Sequence, residues 1–86
     1  MFIKAWFTKF GVPETGLIPI LWVYDLTDGT VDINDQDMTE IDKGWYYYTF
    51  DDFDQNHVYV YMIDGTSHTE PPERYQFGEL KYFTET

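Results

Sequence analysis

The apolar runs of this chain are short and end in turn signals, and this limits the folds open to it. Most runs are about 5–9 residues long, which suits a β-strand and is too short for a typical helix. Within the runs, large apolar residues recur at every second position and not at the three- and four-residue spacing of an amphipathic helix. The sequence therefore predicts an all-β fold.

The predicted strands follow one another with turn signals about 8–12 residues apart. They are the runs at residues 2–10, 17–26, 31–33, 38–41, 45–50, 57–63 and 75–83. Residues 11–16, which contain glycine and proline, and the polar residues 34–37 are expected to be irregular connections. About seven short strands with regular turns are typical of two packed sheets, so we predict an immunoglobulin-like antiparallel β-sandwich.

Glycines specify further details of this prediction. Asp28-Gly29 is a preferred pair for a tight type I′ hairpin, and a two-residue turn there would place Asp25 opposite Asp32. A second turn is predicted at residues 42–44, which are Asp, Lys and Gly. Gly78, inside the last run, is expected to mark a β-bulge.

Length and composition indicate one soluble domain. At 86 residues the chain has room for a single core, so residues 1–86 are predicted to form one domain. It has no cysteine, and aromatic residues, 21% of the chain, have to supply most of the buried area. No apolar run is long enough for a signal peptide or a membrane span, so a protein made in soluble form is expected.

The charge balance argues against two classes of partner. The chain has 16 acidic and 5 basic residues, which gives a net charge of -11. This charge would repel nucleic-acid phosphates and anionic lipid headgroups. Neither nucleic acid nor a membrane is therefore an expected partner.

No metal or cofactor is predicted. Aspartates cluster around the first predicted hairpin, at Asp25, Asp28, Asp32, Asp35 and Asp37. Their spacing does not match a calcium-binding EF-hand loop, so a solvated acidic loop is the preferred interpretation. His57 and His68 lack the spacing of metal ligands and are expected to be surface side chains.

The sequence also lacks the motifs of common catalytic sites. It has no cysteine nucleophile, no glycine-rich phosphate loop and no Gly-x-Ser-x-Gly motif. Ser67 is the only serine, and it lies next to His68 in a predicted turn, where adjacent residues rarely form a catalytic pair. We therefore predict that the protein is not an enzyme.

Several predicted strands carry large apolar side chains on both faces. Whichever face packs into the core, the other leaves such side chains exposed, unless long loops cover them. Exposed apolar patches usually mark interaction surfaces, where tryptophan and tyrosine are enriched. The candidate partner-binding residues are Trp6, Trp22, Tyr24 and Tyr47.

A series of motifs runs from residue 16 to residue 80. It comprises Gly16-Leu17-x-Pro19, a strand ending in Asp25, Met38-Thr39-Glu40, Gly44-Trp45-Tyr46-x-Tyr48-x-Phe50, Asp64-Gly65, and the run ERYQFGEL at residues 73–80. This order resembles small immunoglobulin-like modules of tailed-phage virion proteins and their prophage relatives. The resemblance implies a structural protein of a virus particle, made in the host cytoplasm.

Such a protein would be associated with the capsid as a decoration or minor capsid protein, or would belong to a head fibre, connector or tail. Its partners would be neighbouring virion subunits, and it would be present in several copies or as a homo-oligomer. Two other functions are compatible with the sequence. A carbohydrate-binding module would also present Trp and Tyr on a sandwich face, where rings stack on sugars. The other is an intracellular adaptor without a role in a virion.

Overall fold

The computed structural model describes residues 1–65 and 74–80, and these residues form strands and turns but no helix. The strands are β1 (Phe2–Trp6), β2 (Thr8–Lys9), β3 (Val12–Pro13), β4 (Ile20–Asp25), β5 (Thr30–Asp37), β6 (Thr39–Asp42), β7 (Trp45–Thr49), β8 (Tyr59–Asp64) and β9 (Tyr75–Leu80). The predicted all-β fold is confirmed. Within the same ranges there is accordingly no helix long and apolar enough to cross a membrane.

The strands form two larger sheets and one small one. The three-stranded sheet has the order β1-β7-β6, the four-stranded sheet has the order β5-β4-β8-β9, and β2 pairs only with β3. All described strand pairs are antiparallel. Apolar side chains of both larger sheets meet in one core, which is consistent with the predicted β-sandwich.

The immunoglobulin-like connectivity is not confirmed. In immunoglobulin constant domains the second and fifth strands lie side by side in the same sheet. Here the second long strand, β4, lies between β5 and β8, whereas the fifth long strand, β7, belongs to the other sheet.

Strand alternation decides which side chains enter the core. In β1 the side chains of Ile3 and Ala5 are buried, whereas those of Phe2, Lys4 and Trp6 point outwards. The buried apolar residues are Ile3, Ala5, Phe7, Leu17, Leu21, Val23, Ile33, Met38, Tyr46, Phe50, Tyr59 and Ile63. The core is therefore built from one face of each sheet, and each sheet keeps a second face outside.

The first predicted strand is divided in two. β1 ends at Trp6 and pairs with β7 inside the domain. β2 pairs with β3, and Phe10 and Gly11 form the turn between them. Phe10 and Gly11 both have positive φ, 52° and 77°, as a two-residue type I′ turn requires. The prediction that residues 11–16 contain no regular structure is therefore wrong at Val12–Pro13.

β5 is longer than predicted, because it includes the polar residues 34–37. It is an edge strand, so one of its edges and one of its faces meet water, and polar residues are tolerated there. Its register shifts twice, from Tyr24↔Val31 to Val23↔Ile33 and then to Leu21↔Gln36. These bulges let eight residues of β5 oppose the six of β4.

The first hairpin is wider than predicted. Asp25 pairs with Thr30 and not with Asp32, so the turn contains residues 26–29. The carboxylate of Asp25 accepts hydrogen bonds from the backbone N–H groups of Thr27 and Asp28 and thereby stabilises the wider turn. The turn predicted at residues 42–44 is confirmed, with Lys43 and Gly44 at positive φ, 50° and 85°.

Gly78 does not form the predicted bulge. It pairs with Tyr61 in an uninterrupted register between β8 and β9. A Cβ atom at this position would lie 2.8 Å from the hydroxyl oxygen of Tyr61. The ring of Tyr61 lies against the backbone of β9, so a larger residue at position 78 would require this ring to move.

Candidate interaction surfaces

The outer surface of the three-stranded sheet is rich in exposed apolar side chains. Alternation along β1 and β7 places aromatic rings on this surface, because the residues between them point into the core. We call this surface the Trp6 face and define it by Phe2, Trp6, Ile41, Trp45 and Tyr47. Phe2 is 60%, Trp6 is 47% and Trp45 is 46% exposed.

A β-bulge adds Ile41 to the Trp6 face. Glu40 pairs with Tyr46 and Asp42 pairs with Trp45, so Ile41 has no partner in the ladder between β6 and β7. Its side chain is exposed and lines both grooves of this face.

Ring contacts fix the aromatic side chains of the Trp6 face. Trp6 and Trp45 are cross-strand partners whose rings stack, with centroids 5.9 Å apart and planes at 25°. The indole N–H of Trp6 donates to the carbonyl oxygen of Lys43 at 3.1 Å. The rings of Phe2 and Tyr47 meet edge to face, with centroids 6.1 Å apart. A partner would therefore meet side chains that are already ordered.

Two open grooves cross the Trp6 face, on either side of Ile41. The first, about 380 Å³, is lined by Phe2, Lys4, Ile41 and Tyr47. The second, about 530 Å³, is lined by Trp6, Pro13, Ile41, Asp42, Lys43 and Trp45. The walls are mainly apolar, and the charged groups around them are two lysines and one aspartate.

A second apolar surface lies on the outside of the four-stranded sheet. Trp22 pairs with Met62, and Met62 pairs with Phe77, so these side chains form a row across three strands. We call this surface the Trp22 face and define it by Trp22, Tyr24, Met62 and Phe77. The side chain of Phe77 is 81% exposed.

The structure separates the four predicted partner-binding residues into two pairs. Trp6 and Tyr47 lie on the Trp6 face, whereas Trp22 and Tyr24 lie on the Trp22 face. None of the four is fully buried. Because the two faces are on opposite sides of the sandwich, one flat partner surface does not contact all four residues.

Sequence reasoning missed several members of the two faces. Phe2, Trp45, Met62 and Phe77 follow the same alternation as the predicted residues, so the pattern contained the signal for them. Ile41 is different, because its outward position depends on a bulge, and β6 contains no glycine or proline that would indicate a bulge.

A third feature is a charged cluster at one end of the sandwich, between the first hairpin and the loop before β8. Nδ1 of His57 lies 2.7 Å from Oδ2 of Asp25, and its Nε2 lies 3.4 Å from a carboxylate oxygen of Asp54. The hydrogen bond to Asp25 raises the pKa of His57, against the effect of desolvation. Desolvation acts to raise the pKa of Asp25, but the hydrogen bonds from His57 and from the backbone of Asp28 and Thr27 lower it overall.

His57 is thus a partly buried side chain that pairs with the carboxylates of Asp25 and Asp54. Ligand atoms of Asp25, Asp28 and His57 lie within 4.8 Å of one another, and these three residues are the ones that could hold a cation here. Both carboxylate oxygens of Asp25 already accept hydrogen bonds within the protein. The cluster therefore has a structural explanation, and the absence of a metal site stays a prediction.

Comparisons of the chain with protein-family models, curated proteins and solved structures found no match. The resemblance to phage virion modules therefore depends on the sequence motifs alone.

Proposed function

We propose that this protein is a non-enzymatic assembly module that binds a neighbouring protein subunit through its Trp6 face. The setting that we propose is a virus particle, with the module as a capsid-associated component such as a decoration or minor capsid protein. The observation that carries the binding function is the ordered, exposed set of aromatic rings on the three-stranded sheet. The virion setting comes from the resemblance of the sequence.

The exposure and the order of these rings both support binding. An apolar side chain left in water gains free energy when a partner covers it, by about 25 cal/mol for each Å² of apolar area removed from water. Trp6 and Trp45 are held by their stacking and by the hydrogen bond to Lys43, so little side-chain entropy remains to be lost on binding. Ordered aromatic anchors of this kind are typical binding hot spots.

A protein partner is favoured over a carbohydrate. The rings of Trp6 and Trp45 stack on each other, so each partly covers the ring surface on which a sugar would stack. The first groove offers few polar groups to sugar hydroxyls, chiefly the ammonium group of Lys4 and the hydroxyl of Tyr47. Its walls suit apolar side chains of a protein better.

The substitution Trp45→Ala tests the proposal. We expect the variant to fold, because Trp45 is about half exposed. The amount of the variant that co-purifies with intact virions should fall at least about tenfold, as is typical when a binding hot spot is truncated. Leu26→Ala is the matched control, since Leu26 is an exposed apolar residue that is not on the Trp6 face. The measurements are the melting temperature and the copy number in purified particles.

Normal incorporation of a folded Trp45→Ala variant would contradict the proposal. Glycan binding by the isolated chain that is lost in the same variant would support the carbohydrate alternative instead.

A further inference from the structure

The two apolar faces lie back to back on one small sandwich. Each is the outer surface of one sheet, and the two sheets share the core between them. A module that used only the Trp6 face would leave the side chain of Phe77 and its neighbours in water. The Trp22 face therefore calls for a separate explanation.

The charges around the two faces differ in sign. Lys4 and Lys43 line the grooves of the Trp6 face, and Asp42 is the carboxylate among the lining residues. The remaining lysine in the described part of the chain, Lys9, lies in β2, which directly follows β1. In a chain of net charge -11, the Trp6 face is thus comparatively basic.

Carboxylates surround the Trp22 face. The strand register places Asp37, Asp64 and Glu79 on the outer side of the four-stranded sheet, beside Ile20 and Val60. The guanidinium group of Arg74 binds both carboxylate oxygens of Asp64, at 2.6 and 3.0 Å. None of the lysines in residues 1–65 and 74–80 lies on this face.

We infer that the Trp6 face of one copy binds the Trp22 face of a second copy. This inference rests on the proposed function and names the neighbouring subunit as another copy of the same chain. Apolar surfaces of both copies become buried, and the lysines of one copy approach the carboxylates of the other. A pairing of two Trp6 faces would instead bring lysines of like charge together.

Contact between two different faces is heterologous, so it does not end with two copies. Each bound copy still presents one unused face, and further copies add until a ring closes or a filament grows. If one variant has its Trp6 face blocked and a second variant has its Trp22 face blocked, a mixture of the two should form only pairs, because each pair has no free face left.

The variants Trp45→Glu and Phe77→Glu provide this test. Each places a charge in the middle of one face at a partly or largely exposed position. We expect the molar mass of the wild-type protein, measured by light scattering after gel filtration, to rise with concentration beyond that of a dimer. Each variant alone should stay monomeric, and an equimolar mixture should give a 1:1 dimer that does not grow further.

Near-UV circular dichroism should first confirm that both variants are folded. If Trp45→Glu does not fold, Lys4→Glu replaces it, because Lys4 is an exposed side chain at the first groove. Reversal of this charge should weaken the association by at least about tenfold.

Three results would overturn the inference: a wild-type chain that stays monomeric up to about 1 mM, a single variant that associates like the wild type, or a mixture that forms no dimer. If the mixture fails while Trp45→Ala still abolishes incorporation into particles, only the inference is wrong. If the mixture forms the dimer while Trp45→Ala is incorporated normally, the inference holds and the proposed role of the Trp6 face in the virus particle is wrong.

Discussion

Asp25 and His57 form a hydrogen-bonded pair, with 2.7 Å between Oδ2 and Nδ1, that joins the first hairpin to the start of β8. Asp25 is only 3% exposed although it ends a strand beside a turn. A buried carboxylate is stable only when its oxygens have partners, and here His57 and two backbone N–H groups supply them. The pair therefore couples the stability of this end of the sandwich to pH.

We predict that His57→Gln destabilises the protein mainly in mildly acidic solution. Because the pKa of His57 is raised above 6.5, its contribution is complete below pH 6.5 and is lost as the pH rises through the raised value. Because the pKa of Asp25 is lowered below 3.8, its contribution is complete above pH 3.8 and is lost as the pH falls through the lowered value. The difference in melting temperature between wild type and variant should therefore be largest between pH 3.8 and 6.5.

The control for this experiment is His68→Gln, at the other histidine of the sequence, which lies outside the described residues and is expected from the sequence to be a surface side chain. Its melting curve should follow the wild type across the same pH range. A His57→Gln deficit that grew above pH 7 would contradict the assigned ion pair.

A second prediction concerns the hydroxyl group of Tyr46. This group donates to the carbonyl oxygen of Glu14 at 2.9 Å and accepts from the N–H of Leu17 at 3.1 Å. Tyr46→Phe leaves the buried N–H without its partner, so we expect a loss of about 1–3 kcal/mol in the free energy of unfolding. Urea denaturation measures this loss.

Tyr47→Phe is the matched control, since Tyr47 is the next residue and points outwards onto the Trp6 face. The change should stay within about 0.5 kcal/mol. Equal effects of the two substitutions would show that the hydroxyl of Tyr46 has no special structural role.

The alternation of apolar residues was enough to predict most of the strands, but not which of their faces points inwards. In β1, both Ile3 with Ala5 and Phe2 with Trp6 would make an acceptable apolar face. The deciding factor is tertiary, since the side that points inwards is the one that packs in the same core as Leu21 and Val23 of the other sheet. Exposure of large apolar side chains was predictable, since either choice leaves one set outside.

Other features depended on local backbone geometry that the sequence pattern does not encode. The bulges in β5 and the bulge at Ile41 shift the register without a glycine or proline to mark them. Asp25 was assigned to a solvated acidic loop because the aspartates around the first hairpin lack the spacing of a calcium-binding loop. Its burial follows from hydrogen bonds with His57, which lies 32 residues further along the chain.

A third prediction compares two glycines with positive φ. A Cβ atom at Gly44 would lie 2.6 Å from the carbonyl oxygen of Phe7, whereas nothing lies within 4 Å of a Cβ atom at Gly29. Gly29→Ala should cost only the strain of a left-handed alanine, about 1–2 kcal/mol. Gly44→Ala should cost about 1–3 kcal/mol more, because backbone atoms have to move apart.

Chemical denaturation of the two variants checks the difference. Gly29→Ala is the internal control, because it has the same backbone strain without the close contact. Equal losses would show that the backbone around Phe7 adjusts freely to the new atom.

The last prediction concerns Phe10, at the tip of the hairpin between β2 and β3. Its φ of 52° is strained for a bulky residue, and its ring is 80% exposed, so the side chain gains little from burial. Asparagine tolerates this conformation and is preferred in type I′ turns. We expect Phe10→Asn to raise the free energy of unfolding by about 0.5–1 kcal/mol, which corresponds to a few degrees in melting temperature for a chain of this size. Phe10→Ala should give no such gain, because alanine removes the ring but keeps the backbone strain. A gain of the same size in both variants would show that the exposed ring, and not the backbone, is the unfavourable feature.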